Sequence, residues 1–303
     1  MMMMRFSVKP VLAIAMAVSL VGPLAAEEMT RLPAGSEHDG SLNSRNGGIM
    51  VGADSVVSGE IDSRNGNIEL GPRVTAGSVS SRNGSIELGD GGQYGSIESR
   101  NGAIVIGSAT RAGSVSNRNG GIAIRPDSQV DSVESRNGGI SVGRAVIVDG
   151  DLQTRNGAIA VDSDAVVTGA VSSRNGAFRS GTGSQIDAGV TTRNGDIELA
   201  GASVGKNVQS RGGDIRLVAQ ARVSGDVIIL MEENGTSGGW FSSSSSYGDA
   251  GNIHILDGSV VEGDVIVELP DDYDGEPPEV VVAPDAMIGG ELRLDSPAVR
   301  RSP

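Results

Sequence analysis

The phrase Ser81-Arg82-Asn83-Gly84-Ser85-Ile86-Glu87-Leu88-Gly89 is rewritten along most of this chain of 303 residues. Its asparagine falls at Asn46, Asn65, Asn83, Asn101, Asn119, Asn137, Asn156, Asn175 and Asn194, with Gly212 in the tenth slot, so that successive slots stand 18 or 19 residues apart. A period this strict belongs to a repeat architecture, in which each repeat buries its apolar face only by stacking on its neighbours.

Within a repeat, aliphatic residues recur four before the asparagine (Val79, Ile97, Val115, Val133) and three and five after it (Ile86 and Leu88, Ile104 and Ile106). The later pair brackets outward residues such as Glu69, Glu87 and Glu198, which is the alternation of a strand with one buried face. A further aliphatic often stands eight before the asparagine, as at Val57, Val148 and Val167. Asn-Gly is a strong hairpin signal, but a hairpin meander would repeat its turn between antiparallel strands. Here each repeat holds three short strand-like pieces and one Asn-Gly corner. Coiling in one direction explains the period better. The pattern therefore predicts an all-β chain, a single parallel β-helix (solenoid) of about twelve coils, one per 18–19 residues. Asn-Gly is expected to supply positive φ at a sharp corner. The residue two before the asparagine, Ser or Thr in every coil from Ser44 to Ser210 except at Asn117, is expected to point inward and bond a backbone group at the bend.

In chain order, residues 1–26 read as a secretory signal. Arg5 and Lys9 form a basic region, Val11 to Leu20 an apolar run too short to span a bilayer, and Leu24-Ala25-Ala26 a small-residue cleavage site. Residues 27–37 read as a polar lead-in and 38–294 as the β-helix. Two insertions, 230–252 and 268–279, replace the Arg-Asn-Gly corner of adjacent coils, and 295–303 read as a disordered tail. Cleavage after Ala26 removes two of the 24 basic residues and none of the 38 acidic ones, which takes the formal net charge from −14 to −16. That charge argues against a nucleic-acid partner and suits an exported protein of the periplasm or cell surface, or one that is secreted.

Catalytic chemistry finds little to build on. His38 and His254 are the two histidines and there is no cysteine, hence no thiol nucleophile, disulfide or zinc-binding thiolate. His38 reads as a half-exposed residue of the end coil. The serine and threonine row lacks an accompanying base. No cofactor and no metal are expected, and the enzyme reading is set below a non-enzymatic one. The asparagine row reads as a structural ladder, amide to amide along the axis. The arginine row, Arg45, Arg64, Arg82, Arg100, Arg118, Arg136, Arg155, Arg174, Arg193 and Arg211, is a candidate polyanion contact. Guanidiniums one rung apart, ~4.8 Å, repel by about 0.9 kcal/mol even at water's dielectric, so something must offset them. Flanking carboxylates (Asp62, Glu98, Glu134), corner carbonyls or a bound polyanion would do so. Aromatics make up only 2% of the chain, and Trp240, Phe241 and Tyr247 gather in the first insertion as candidate partner contacts.

Residues 38–294 resemble the bacterial exported β-helical repeat proteins grouped as adhesins or as polymer-forming proteins. Val223-Ser224-Gly225-Asp226-Val227-Ile228, Val261-Glu262-Gly263-Asp264-Val265-Ile266 and Val282-Ala283-Pro284-Asp285-Ala286-Met287-Ile288-Gly289-Gly290 look like bactofilin coils. The resemblance implies a right-handed, three-sided β-helix with no enzymatic residues to carry over. The signal sequence and the Arg-Asn-Gly corners depart from bactofilins. The expected function is that of a non-enzymatic structural or surface-interaction rod, adhesin-like, contacting an envelope or surface component (glycan or protein). Alternatives are a polysaccharide-processing enzyme on the same scaffold and a filament subunit. No transmembrane segment is expected in the mature chain. The polar ends predict a monomer, with end-to-end assembly if they are removed.

Overall fold

The computed structural model describes residues 29–231, 250–270, 273, 276, 278–295 and 300–301. Each coil lays down three short strands. In one central coil these are Ile104–Ile106, Arg111–Ala112 and Val115–Asn117. Each joins the equivalent strand of the coils above and below in parallel, giving three sheets of 14, 13 and 13 strands and no helix among the described residues. The sheets are called first, second and third in that chain order. The register is in phase throughout: Ile86, Ile104 and Ile122 face one another, as do Val79, Ile97 and Val115. The protein is a three-sided parallel β-solenoid.

The core follows from the alternation. Ile104 and Ile106 on the first sheet, Ala112 on the second and Val115 on the third all turn inward and are buried. Most coils repeat this set, so the interior is largely a stack of aliphatic layers. Burial of each Val, Ile or Leu contributes roughly 1.5–3 kcal/mol. Phe178 is the largest fully buried side chain and lies in register between Ile159 and Ile197. Tyr94 occupies a slot on the second sheet that is Ala76 in the coil before and Ala112 in the coil after. Its hydroxyl is buried without a partner, and burial pushes its phenol well above the usual range.

The Asn-Gly corner does not use positive φ. In the coils from Asn46 to Asn175 a left-handed residue lies eight positions after the asparagine, between the first and second sheets: Asp54, Arg73, Ala109, Asp127, Ala145 and Asp164, with φ of 53–61°, and the glycines Gly91 and Gly183. Glycine follows each corner asparagine for another reason. A Cβ on Gly138 would stand 2.0 Å from the Gly120 carbonyl oxygen, and one on Gly176 1.9 Å from that of Gly157. The coils simply approach too closely there for a side chain.

The solenoid also begins earlier and ends later than the sequence pattern suggests. Thr30–Leu32 is a strand of the first sheet paired with Ile49–Val51, and Glu37–His38 pairs with Val56–Val57 on the second. The presumed lead-in is thus the end coil, written with Thr30 in place of the usual aliphatic residue. At the other end Arg300–Arg301 pairs with Glu279–Val280, so part of the presumed tail closes the first sheet. The signal segment 1–26 lies outside the described residues.

Both insertions do leave at the corner between the third and first sheets. Val227–Leu230 pairs with Val265–Glu268 before them, and Ile253–Ile255 pairs with Glu279–Val282 after them. The register resumes sooner than expected: Gly251 packs on Gly213 as any corner glycine does, its Cβ position 2.0 Å from the Gly213 oxygen. The inserted segments therefore run between strand ends at Leu230 and Glu268 and the returning corners at Gly251 and Glu279.

Candidate functional site

The described residues offer no group of three or more His, Asp or Glu side chains placed to hold a metal ion. His38 lies half-buried in the end coil on the second sheet, and His254 on the first sheet in a coil near the other end. What the fold does assemble is the edge between the third and first sheets, where Arg-Asn-Gly recurs.

The corner is built by the residue two before each asparagine. Ser63, Ser81, Ser99, Ser135 and Ser210 are buried, and their hydroxyls accept from the backbone N–H of the corner glycine at 2.9–3.1 Å. Several also donate to the glycine carbonyl of the preceding coil, as Ser63 does to Gly47. Asn117 replaces the hydroxyl with an amide that performs both tasks: its Oδ1 accepts from Gly120 N–H at 2.9 Å and its Nδ2 donates to Gly102 O at 2.7 Å. The inward orientation expected of this slot is what the structure shows. It fixes the bend so that the next two outward residues, Arg and Asn, project at the same place in every coil.

The asparagines form a continuous ladder on the outside of the rod. Asn65 donates its Nδ2 to Asn46 Oδ1, and the same bond repeats coil by coil up to Asn194 and Asn175, all at 2.7–3.0 Å and all in one direction. All nine side chains are exposed. Aligned amide dipoles reinforce one another, and each interior amide retains a second N–H and a second lone pair facing solvent.

Beside the ladder runs the arginine column. Arg45, Arg64, Arg82, Arg100, Arg118, Arg136, Arg155, Arg174 and Arg193 are exposed. Among the described residues none of these nine forms an ion pair or a side-chain hydrogen bond. The carboxylates that could have neutralised them do not: Asp62 accepts from Ser80 instead, and Glu98 and Glu134 form no ion pair with the column. Arg211, half-buried and engaged in a contact, stands apart from the nine. Elsewhere on the rod, among the described residues, some arginines are paired and others, such as Arg111 and Arg144, are not. Arg73 grips Asp54 through Nε at 2.6 Å and Nη2 at 2.8 Å, and that bond holds the Asp54 carboxyl below its usual range. From Arg100–Asn101 to Arg193–Asn194 the two columns line a shallow open groove of about 870 Å³.

Trp240, Phe241 and Tyr247 lie outside the described residues, as do Asp271, Asp272 and Asp274. Tyr273 is not held outward as a contact residue. Its hydroxyl accepts from Ala250 N–H and donates to Glu276 O, both at 2.9 Å, and its half-buried ring packs on the core. It ties the second insertion to the root of the first, a role for which its loop setting gave no signal. Compared with protein families, curated proteins and solved structures, the chain matches none.

Proposed function

We infer that this protein is a non-enzymatic, exported rod that works by surface interaction, and that the arginine–asparagine edge is its contact surface for an anionic polymer of the cell envelope or surroundings. The observation that carries this reading is the column of nine exposed guanidiniums without partners on a chain of net charge −14. Like charges at rung spacing repel, and nine of them held in one column without partners make a surface poised for an external anion. A solenoid suits the task because its rungs hold the side chains in fixed register, which preorganises a multivalent surface. The adhesin-like reading and the export signal are of a piece with this role.

The test is retention on a carboxylated matrix at neutral pH. A protein this acidic should be repelled as a whole, so retention would report a local cationic edge. Replacing the nine arginines by glutamine should abolish it. Flow-through of the parent chain would refute the contact surface. Release of new reducing ends from uronate polymers would refute the non-enzymatic reading and favour a polysaccharide-processing enzyme.

A further inference from the structure

The edge is not flanked evenly along its length. Between Glu134 and Asp196 the positions directly beside it carry no charge: Gln153, Ser172 and Thr191 stand on the third-sheet side, and Gly139, Ala158 and Ala177 on the first-sheet side, while Asp151 bonds Gln153 and Arg179 pairs with Glu198 farther out. In this window Arg155 and Arg174 stand beside amides, hydroxyls and small residues and form no ion pair.

We propose that the polymer bound here is an unbranched polysaccharide with one carboxylate per sugar, lying parallel to the solenoid axis with the carboxylates of its facing side on the guanidinium column. This rests on reading the edge as a contact surface. The planar fork of a guanidinium matches a carboxylate bidentately. The rung repeat of ~4.8 Å sets the spacing; a 1→4-linked pyranose chain advances by about one rung per sugar and turns as it goes, so the carboxylates on its facing side fall on every second or third guanidinium. Nine arginines span roughly 38 Å at that repeat, the length of a nonasaccharide. The free N–H and lone pair of each ladder asparagine then meet sugar hydroxyls, as do Gln153, Ser172 and Thr191. Nucleic acid fits less well. Duplex phosphates recur every ~3.4 Å along a strand and leave register within a few rungs. Single strands are held by aromatic stacking, and no described aromatic lies on this edge: Tyr94 and Phe178 are buried and Tyr273 is tied down.

The experiment is calorimetric titration of the full chain with 1→4-linked oligogalacturonates of increasing length. Affinity should rise with length and level off near nine sugars. Fully methyl-esterified oligomers should not bind. Arg136→Gln, Arg155→Gln and Arg174→Gln combined should weaken binding about tenfold, from about a factor of two per exposed pair, with the melting temperature of the variant confirming its fold. Length-independent binding, or affinity unchanged in the folded triple variant, would overturn the proposal. Equal or tighter binding of polyphosphate or single-stranded DNA at matched charge, lost in the triple variant, would overturn the carboxylate assignment while leaving the edge as a contact surface. No binding to any of these polyanions would overturn both.

Discussion

The side-chain amide of Asn119 donates to Asn101 Oδ1 at 2.7 Å, and the two residues stand 18 positions apart in the chain. That bond sits on the outside of the rod, one residue from an unpaired arginine. The same residue thus stiffens the edge and presents hydrogen-bonding groups on it.

Asn119→Ala should lower stability by about 1 kcal/mol. It removes the bond to Asn101 and the one received from Asn137, both solvent-exposed and each worth at the low end of ~0.5–1.5 kcal/mol net. No relief of left-handed strain is involved, because Asn119 has no positive φ. Urea unfolding of the two proteins compares them directly, and an unchanged midpoint would mean the ladder adds nothing.

Gly138→Ala should be much worse, by more than about 3 kcal/mol, since overpacking against immovable backbone lies at the costly end of such changes. The new methyl would stand 2.0 Å from Gly120 O. Hydrogen exchange should show the loss centred on the adjoining coils. A loss no larger than that of Asn119→Ala would mean the coils part easily at this corner.

Tyr94→Phe should leave stability unchanged or raise it by about 1 kcal/mol, because it removes a buried hydroxyl that has no partner. The sign with pH follows from the raised phenol. Its stabilising contribution is full below the ordinary value of 10.0 and is lost as pH climbs above it, since the unfolded chain ionises first. Melting temperature followed from pH 9 to 12 should therefore fall less steeply in the variant, by roughly the share one tyrosine contributes. Parallel curves would show that Tyr94 is hydrated.

Asn194–Gly195 should deamidate first among the nine Asn-Gly pairs of the corners. Deamidation begins when the following backbone nitrogen attacks the side-chain carbonyl carbon and ammonia leaves. In the other eight pairs that nitrogen donates to the inward side chain, as Gly176 does to Ser173 at 2.9 Å. At Gly195 Thr192 instead donates to the carbonyl oxygen, and the N–H has no described partner. Peptide mass spectrometry of aged protein reads the order, and Thr192→Ser should slow this site. Equal rates at all nine would show that the corner hydroxyls confer no protection.

The architecture was legible because the aliphatic slots repeat in phase, and in-register stacking needs little else. The glycine of each corner was also legible, but its cause was not. Close approach of Gly138 to Gly120 is a relation between coils that no single repeat displays. The true left-handed position stayed hidden because Asp54, Arg73, Ala109 and Gly91 share no chemistry. The end coil escaped notice because Thr30 fills an aliphatic slot and no Arg-Asn-Gly precedes it. The arginine column could be seen as a row, yet only the geometry shows that Asp62, Glu98 and Glu134 leave it unpaired. The bond between Tyr273 and Ala250 was not legible, because it depends on where two loops return to the rod.

The central claim is that the unpaired arginine column binds an anionic polymer as a unit. The most direct measurement is the slope of log affinity against log salt concentration for long polygalacturonate, determined for the parent chain and for variants with one, two and three of Arg136, Arg155 and Arg174 changed to glutamine. Release of counterions predicts a steep negative slope for the parent, shallower by roughly 0.7 for each arginine removed. A slope near zero, or one that does not change as the arginines are replaced, would contradict it.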